Sequence, residues 1–387
     1  MKDPGSKIKV GSDFSGVGAF NQALNRLGIN YEEIFACDRD KYARQTFVHN
    51  YGEPKYFPTD VYERQIPAES LDVYMTSPPC QAFSMAGRRL GKEDKRGILF
   101  FNSLEFIQEN KPRFFIFENV KGLLSDNSGK TFQEWINFLG GKSVNGLPVL
   151  FPFEDSVDYH LYWSVLNAKE HGVPQNRERV FLVGIRDDID NNFRFPKEEH
   201  LTKRLKDVLE ENVDKKYFLS EKLINGFLFK ENEIECENKS CFKIKSNNSK
   251  GYEIAEIGDS IRLAHPNSET SRGRICKEVS HTLDCGSNEG IILNKYQKEI
   301  EKSIEQEICT TLDASYYKGF GIRQGNCRQV VNDNFSIRRL TPRECFRLMD
   351  FPDMFDFSVV SDSQAYKQAG NSIVVNVLFK ILKNLNL

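Results

Sequence analysis

The stretch TSPPCQAFSMAGRR, residues 76–89, places Cys80 directly behind two prolines and ahead of a polar, glycine-containing loop. Proline fixes the backbone around it, and a thiol that only fills a core needs no such setting. A second residue with chemistry is Glu118, in FENV. Taken singly, Cys80 reads as a small core residue and Glu118 as a strand-end surface carboxylate. Together, at adjacent strand ends, they suit one reaction. A pyrimidine ring is inert at carbon 5 until a nucleophile adds at carbon 6, which makes carbon 5 an enamine-like nucleophile. A carboxylic acid at ring nitrogen 3 would stabilise the developing charge and accept from the exocyclic amine of cytosine. Arg177 and Arg179, in QNRER, are suited to reach phosphate and to hold Glu118 or the base.

A second group of residues points to a cofactor. DFSGVGAF, residues 13–20, follows a strand and opens a helix. Glycines there let the backbone approach a ligand, and the helix start offers free N–H groups. Asp38 ends the next strand, at the place of a carboxylate that binds ribose hydroxyls. Asp60 follows and could accept from an adenine amino group. These residues point to an adenosine-containing cofactor. No G-x-x-x-x-G-K-S/T segment is present, which argues against phosphate-driven chemistry.

Positioning these groups requires a frame, and the chain supplies one. KIKVGSDF, YEEIFACD, LDVYMTSPP and FFIFENV read as strands. AFNQALNRLG, KYARQTFVHNYG and ILFFNSLEFIQENK read as the helices between them. Such alternation predicts an α/β fold with a doubly wound, mostly parallel sheet. Ligands then bind outside the carboxyl ends of the strands, where residues 13–18, Asp38, residues 77–80 and Glu118 all fall. HLYWSVLNA and RVFLVGIR add two more strands around HGVPQNRE. After FRFPK the chain turns rich in Lys, Glu and Asn, with short strand-like pieces and many Gly, Ser and Asn turns. That shift predicts a first domain over 1–196, completed by 363–387, and a smaller, irregular, strand-rich second domain over 197–350. The second contains a weak internal echo, SHTLDCGSNEG against CTTLDASYYKG. AYKQAGNSIVVNVLFKILKNL reads as a turn followed by an amphipathic helix.

Composition narrows the class. The chain has 387 residues, 39% hydrophobic and 28% charged, with no run approaching the ~20 apolar residues of a membrane span. Its start, MKDPGSKIKV, has no apolar signal segment, so a cytoplasmic protein is expected. The nine cysteines form neither a disulfide framework nor a zinc set, and are read as mostly reduced. Net charge is -2. Between Cys309 and Arg347, however, seven basic residues face three acidic ones, a local excess that fits a nucleic-acid surface or a solvated face.

The residues carry a resemblance. DFSGVGAF, CDRDKYA, SPPCQAFS, FENVKGLL, VPQNRERVFLVGIR, RRLTPRECFRLMDFPD and AYKQAGNSIVVNV occur in the order found in cytosine-C5 DNA methyltransferases. The resemblance implies a class I fold, S-adenosylmethionine as methyl donor with S-adenosylhomocysteine as product, and a target cytosine in a short sequence of double-stranded DNA. It makes Cys80 the nucleophile and Glu118 the group on the Watson–Crick edge, with Arg177 and Arg179 supporting the pocket. Phe14, Ser15, Gly16, Gly18, Asp38, Arg39, Asp60, Pro79, Asn371 and Ser372 would surround the cofactor. Gln81, Ser84 and Arg88 would lie on a loop over DNA, and Thr311-Leu312 would be the Thr-Leu pair of the recognition domain, with Thr282-Leu283 a second copy. The restriction-modification setting implies a companion endonuclease without a stable complex, and one site per chain makes a monomer sufficient.

Two departures stand out. The family commonly has Asp-Leu-Phe and a Gly-Gly in the first motif, where this chain has Ser12-Asp13-Phe14 and Gly18-Ala19, which leaves the role of Asp13 open. Arg39 stands where relatives place an apolar or aromatic residue against adenine; a guanidinium plane can stack there too. Three other readings are an RNA cytosine-C5 methyltransferase, an adenine amino-methyltransferase, which SPP faintly resembles, and a non-catalytic DNA-binding regulator. The last two need no Cys80.

Overall fold

The computed structural model describes residues 7–79, 98–189, 192–228, 241–268, 270–286, 288–294, 335–385 and 387. The chain forms two compact units. The first comprises Met1–Arg204, Thr282–Gly286 and Pro342–Leu387, and the second Leu205–His281 and Ser287–Thr341.

The strands of the first unit are β1 (Ile8–Asp13), β2 (Tyr31–Cys37), β3 (Val73–Thr76), β4 (Phe114–Val120), β5 (Ser143–Val144), β6 (Leu147–Pro148), β7 (Tyr159–Asn167) and β8 (Glu178–Arg186). They form one sheet in the order β2-β1-β3-β4-β8-β7-β5-β6. The four at the β2 end pair in parallel, and the order reverses between β1 and β3. That reversal opens a crevice beyond the carboxyl ends of β1 and β3, where a doubly wound sheet binds its ligand. β4, FFIFENV, is buried over its first six residues, as a strand covered on both faces must be. β8 runs antiparallel to β4, with Phe181 opposite Glu118 and Arg179 opposite Val120. The amino end of β8 therefore arrives at the same sheet edge as the carboxyl end of β4.

Helices flank these strands: α1 (Ala19–Leu27), α2 (Lys41–Tyr51), α3 (Ile98–Asn110), α4 (Lys130–Leu139), α5 (Pro342–Leu348), α6 (Asp362–Asn371) and α7 (Val375–Lys383). In α1, Ala19, Phe20, Ala23 and Leu24 make one buried stripe, and the helix packs on α7. α3 and α4 bury Phe100, Leu104, Phe106, Trp135 and Leu139 in a core with Phe115 and Phe117 of β4. Phe100 and Trp135 stack at 4.3 Å between ring centroids. α2 starts at Asp40, whose carboxylate accepts from the N–H groups of Tyr42 and Ala43.

AYKQAGN, expected as a turn, is the body of α6. Ala365, Tyr366 and Ala369 give it a buried helical face, and its glycine serves close packing rather than a turn. The second unit also departs from the compositional boundaries. It ends at Thr341, so that α5 belongs with the first unit, as does the short excursion Thr282–Gly286.

The second unit is antiparallel. β9 (Cys241–Lys245) pairs with β10 (Tyr252–Glu256), while β11 (Ser260–Arg262), β12 (Ile275–Cys276), β13 (Glu289–Asn294) and β14 (Phe335–Arg339) form a sheet in the order β12-β11-β13-β14. Its core gathers Phe227, Phe242, Ile244, Ile261, Ile292 and Ile337. Cys241 is disulfide-bonded, an exception to the reduced reading, whereas Cys37, Cys276, Cys285 and Cys345 are reduced.

Candidate active site

The turn after β1 is built on left-handed backbone. Phe14 has φ 56°, Gly16 φ 56° and Gly18 φ 83°. A side chain at Gly18 would meet the Tyr51 ring at 2.3 Å, while a Cβ at Gly16 would find no atom within 4 Å, leaving open room over the turn. The turn is tied to β2: the Ser15 N–H donates to the Cys37 carbonyl at 3.0 Å, and its hydroxyl to the same oxygen at 3.2 Å. Asp38 braces it from beneath, accepting from the Gly16 N–H at 2.7 Å and from the Asp40 N–H at 2.7 Å. Burial pushes the Asp38 carboxyl up from the ordinary range, and those two N–H groups pull it back. Asp60 is half-buried and accepts from the Tyr62 N–H at 3.1 Å, and Arg39 is exposed. A turn with glycines at 16 and 18 and open room over Gly16, with Asp38 just past the end of β2 and Asp60 in the segment between α2 and β3, fits an adenosine cofactor.

The second half of the site lies at the ends of β3 and β4. Pro79 is exposed, and the Pro78 carbonyl accepts from the Asn119 side-chain amide at 3.1 Å. Ser77 donates to the Phe14 carbonyl at 3.4 Å. The backbone leading to residue 80 is thus held by β4 on one side and by the turn after β1 on the other. Sequence reasoning passed over Asn119, although its place in FENV was the available signal. Glu118 is 8% exposed, and its carboxylate meets Arg179 Nε at 3.1 Å. Burial pushes its carboxyl up, against the opposing pull of Arg179 and then Arg177. A buried carboxyl shifted in this direction can hold or release a proton at a base edge.

Arg177 is arranged differently from its sequence reading. It makes no hydrogen bond to Glu118; its guanidinium is buried and donates to three main-chain carbonyls, of Leu283 at 3.1 Å, Gly370 at 2.9 Å and Ser372 at 2.8 Å. A planar guanidinium suits such a fan of acceptors. Burial lowers its value to about 9, which leaves it charged at neutral pH.

Two of those carbonyls flank Asn371, and the third belongs to Thr282–Gly286. Thr282 donates to the Asn176 carbonyl at 2.7 Å, the Leu283 N–H to Gln175 Oε1 at 3.3 Å, and Cys285 Sγ to Asn371 Oδ1 at 2.8 Å. Asn371 is exposed and Ser372 buried. Thr282-Leu283, read from the sequence as a second copy, is therefore a strap within the first unit, built against VPQNR. Nothing in its sequence separates it from the other copy, because partners more than a hundred residues away hold it.

Beneath the turn after β1 lies a buried group that the sequence did not disclose. The Asp13 carboxylate accepts from Arg64 Nε at 3.0 Å and from the Tyr74 hydroxyl at 2.6 Å. The expected nucleophile Cys80, the expected DNA contacts Gln81, Ser84 and Arg88, and the Thr311-Leu312 pair lie outside the described residues.

A family model described as C-5 cytosine-specific DNA methylase matches residues 8–386. The chain is 34% identical to the orphan methyltransferase M.SPRI of Bacillus phage SPR, over 98% of this chain and 97% of that one. It is 30% identical to the type II methyltransferase M.HhaI of Haemophilus parahaemolyticus, over 96% of this chain and 92% of that one. Among solved structures, the S. pombe Dnmt2 methyltransferase shares the fold, with a TM-score of 0.59 at 18% identity, covering 98% of this chain and 100% of that one.

Proposed function

The chain belongs to the C-5 cytosine-specific DNA methylase family, and from that premise we propose that it methylates carbon 5 of a cytosine flipped out of duplex DNA, through a covalent adduct at Cys80. The observation that carries this reading is the convergence of three strand ends: the open turn after β1, the braced Ser77–Pro79 backbone, and the buried Glu118–Arg179 pair.

When bound, S-adenosylmethionine supplies an electrophilic methyl group. The residues that would hold it are Phe14, Ser15, Gly16 and Gly18 around the open turn, Asp38 at the ribose, Asp60 and Arg39 at the adenine, and Pro79, Asn371 and Ser372 at the other end. The rest of the chemistry is the chain's own. A stacked base hides carbon 6, so the cytosine must leave the helix, at a cost of a few kcal/mol. The thiolate of Cys80 adds to carbon 6, and Glu118 bonds ring nitrogen 3 and accepts from the exocyclic amine. Arg179 keeps that carboxyl in place. Carbon 5 would take the methyl carbon as the methyl–sulfonium bond breaks and S-adenosylhomocysteine leaves; its own proton would then pass to water, and the freed electron pair would re-form the carbon 5–carbon 6 double bond and expel Cys80. With two prolines before it, the thiol is oriented at little remaining entropic cost.

Target recognition is assigned to the second domain, including Thr311 and Leu312, with Gln81, Ser84 and Arg88 on the loop nearest the base. A monomer suffices, and protection of host DNA against a companion endonuclease is the biological role, exercised in the cytoplasm. No helix among the described residues is long and apolar enough to cross a membrane.

The test is bisulfite sequencing of plasmid DNA treated with the purified protein and S-adenosylmethionine. Protected cytosines in one short sequence are expected, lost in Cys80→Ser, together with a denaturant-resistant adduct on 5-fluorocytosine DNA. Uniform conversion by folded wild-type protein would overturn the reading.

A further inference from the structure

Asp13 is the last residue of β1, and its side chain is wholly shielded from water. The residue after it, Phe14, takes a left-handed conformation that a side chain disfavours. Such a turn persists only where its surroundings over-determine it. Below it, Arg64 and Tyr74 are the two donors that grip Asp13. We propose that Asp13, Arg64 and Tyr74 form a positioning triad for the S-adenosylmethionine site, holding the Phe14–Gly18 turn in its binding conformation and linking it to the other strand ends that the reaction uses. The proposal rests on the methyltransferase reading above.

Each member reaches a different part of the site. Arg64 lies four residues after Asp60, so the segment expected to meet adenine also carries the guanidinium that fixes the turn. Its Nη2 donates to the Asn102 carbonyl in α3 at 3.3 Å, and its plane lies 4.6 Å from the Phe106 ring centroid. Tyr74 sits on β3, two residues before Thr76, whose hydroxyl meets that of Ser103 at 2.9 Å. Its ring stacks on Phe106 at 4.2 Å. One buried cluster thereby joins β1, β3, the Asp60 segment and α3.

Stability alone is a poor account of such a cluster. A buried ion pair gains little over apolar residues of the same volume, because both ions give up hydration. What it offers is direction: two donors converge on one oxygen, Oδ2, of the carboxyl that ends β1 and fix where that oxygen sits. The same arrangement answers what Asp13 does in a first motif that departs from the family pattern.

The experiment measures S-adenosylmethionine binding by calorimetry, DNA binding by fluorescence anisotropy and thermal midpoints, for wild type, Tyr74→Phe and Arg64→Met. Tyr74→Phe keeps the stacked ring and removes only the hydroxyl. The expected result is a Kd and KM for S-adenosylmethionine raised roughly five- to tenfold, about the net worth of one ordinary hydrogen bond. Affinity for DNA stays at the wild-type value. Arg64→Met, which leaves Asp13 buried without a cation, loses more. If both variants fold and bind S-adenosylmethionine as wild type does, the triad is not a positioning device. If both ligands weaken together in step with the thermal midpoint, its role is structural only, and the proposal falls. Wild-type protein that binds no S-adenosylmethionine would overturn the methyltransferase reading and this proposal together.

Discussion

At the end of β4 the Glu118 carboxyl is kept from water beside the Arg179 guanidinium; burial raises it, against the pull of Arg179 and then Arg177. Glu118→Gln keeps the shape and removes the titration. Methylation is expected to fall by roughly 10²- to 10⁴-fold while the thermal midpoint holds, as a tritiated-methyl transfer assay alongside a melting curve would show. Another residue titrates away from the site. Glu33 on β2 is raised from the usual 4.5 to about 7, chiefly by burial and against the pull of Asn21, which donates to it at 2.8 Å. Between those values the folded state holds a proton that the unfolded state has released, so stability falls as pH rises through this window. The loss is roughly 1–3 kcal/mol. Glu33→Gln should flatten that slope; an unchanged pH dependence of the midpoint would contradict the assignment.

Elements position these residues through a few close approaches. α6 carries Gly370 where an added Cβ would lie 2.0 Å from the Asp284 carbonyl oxygen, a main-chain atom that cannot swing aside. Gly370→Ala must therefore displace the strap or the helix end, and with them the carbonyls that Arg177 collects. The expected outcome is a destabilisation of at least about 2 kcal/mol, read from urea unfolding, with weaker S-adenosylmethionine binding through Asn371. A conservative change on the exposed face of the same helix, Ser363→Ala, should leave both measurements alone. From the sequence, AYKQAGN reads as a turn. Its buried face of Ala365, Tyr366 and Ala369 makes it a helix, and only the Asp284 backbone explains why that helix needs a glycine.

For the whole molecule, a net charge of -2 hides the basic excess between residues 309 and 347. If duplex DNA binds there, affinity should fall linearly with salt on logarithmic axes, with a slope near about -0.9 for each phosphate neutralised. Anisotropy titrations at several salt concentrations measure it, and an affinity indifferent to salt would count against a phosphate-tracking surface. The division into two units was partly legible, because composition changes sharply after residue 196. The return of Thr282–Gly286 to the first unit was not, since that excursion is made by partners at Asn176, Arg177 and Asn371 rather than by any local signal.

The sequence by itself determined the strand and helix alternation of the first 130 residues and the glycine turn after β1, and it offered Arg177 and Arg179 alike as holders of Glu118. Periodicity, glycine placement and motif order are local properties, and local properties survive in one dimension. Only the tertiary structure decided that Arg177 binds carbonyls instead of the acid, that Asn119 braces the proline backbone, and that Asp13 is held by Arg64 and Tyr74. Each of those contacts joins residues between 41 and 195 positions apart. Which donor meets which acceptor at such separations is set by strand order and burial, because a polar group taken out of water must find a partner wherever the fold supplies one.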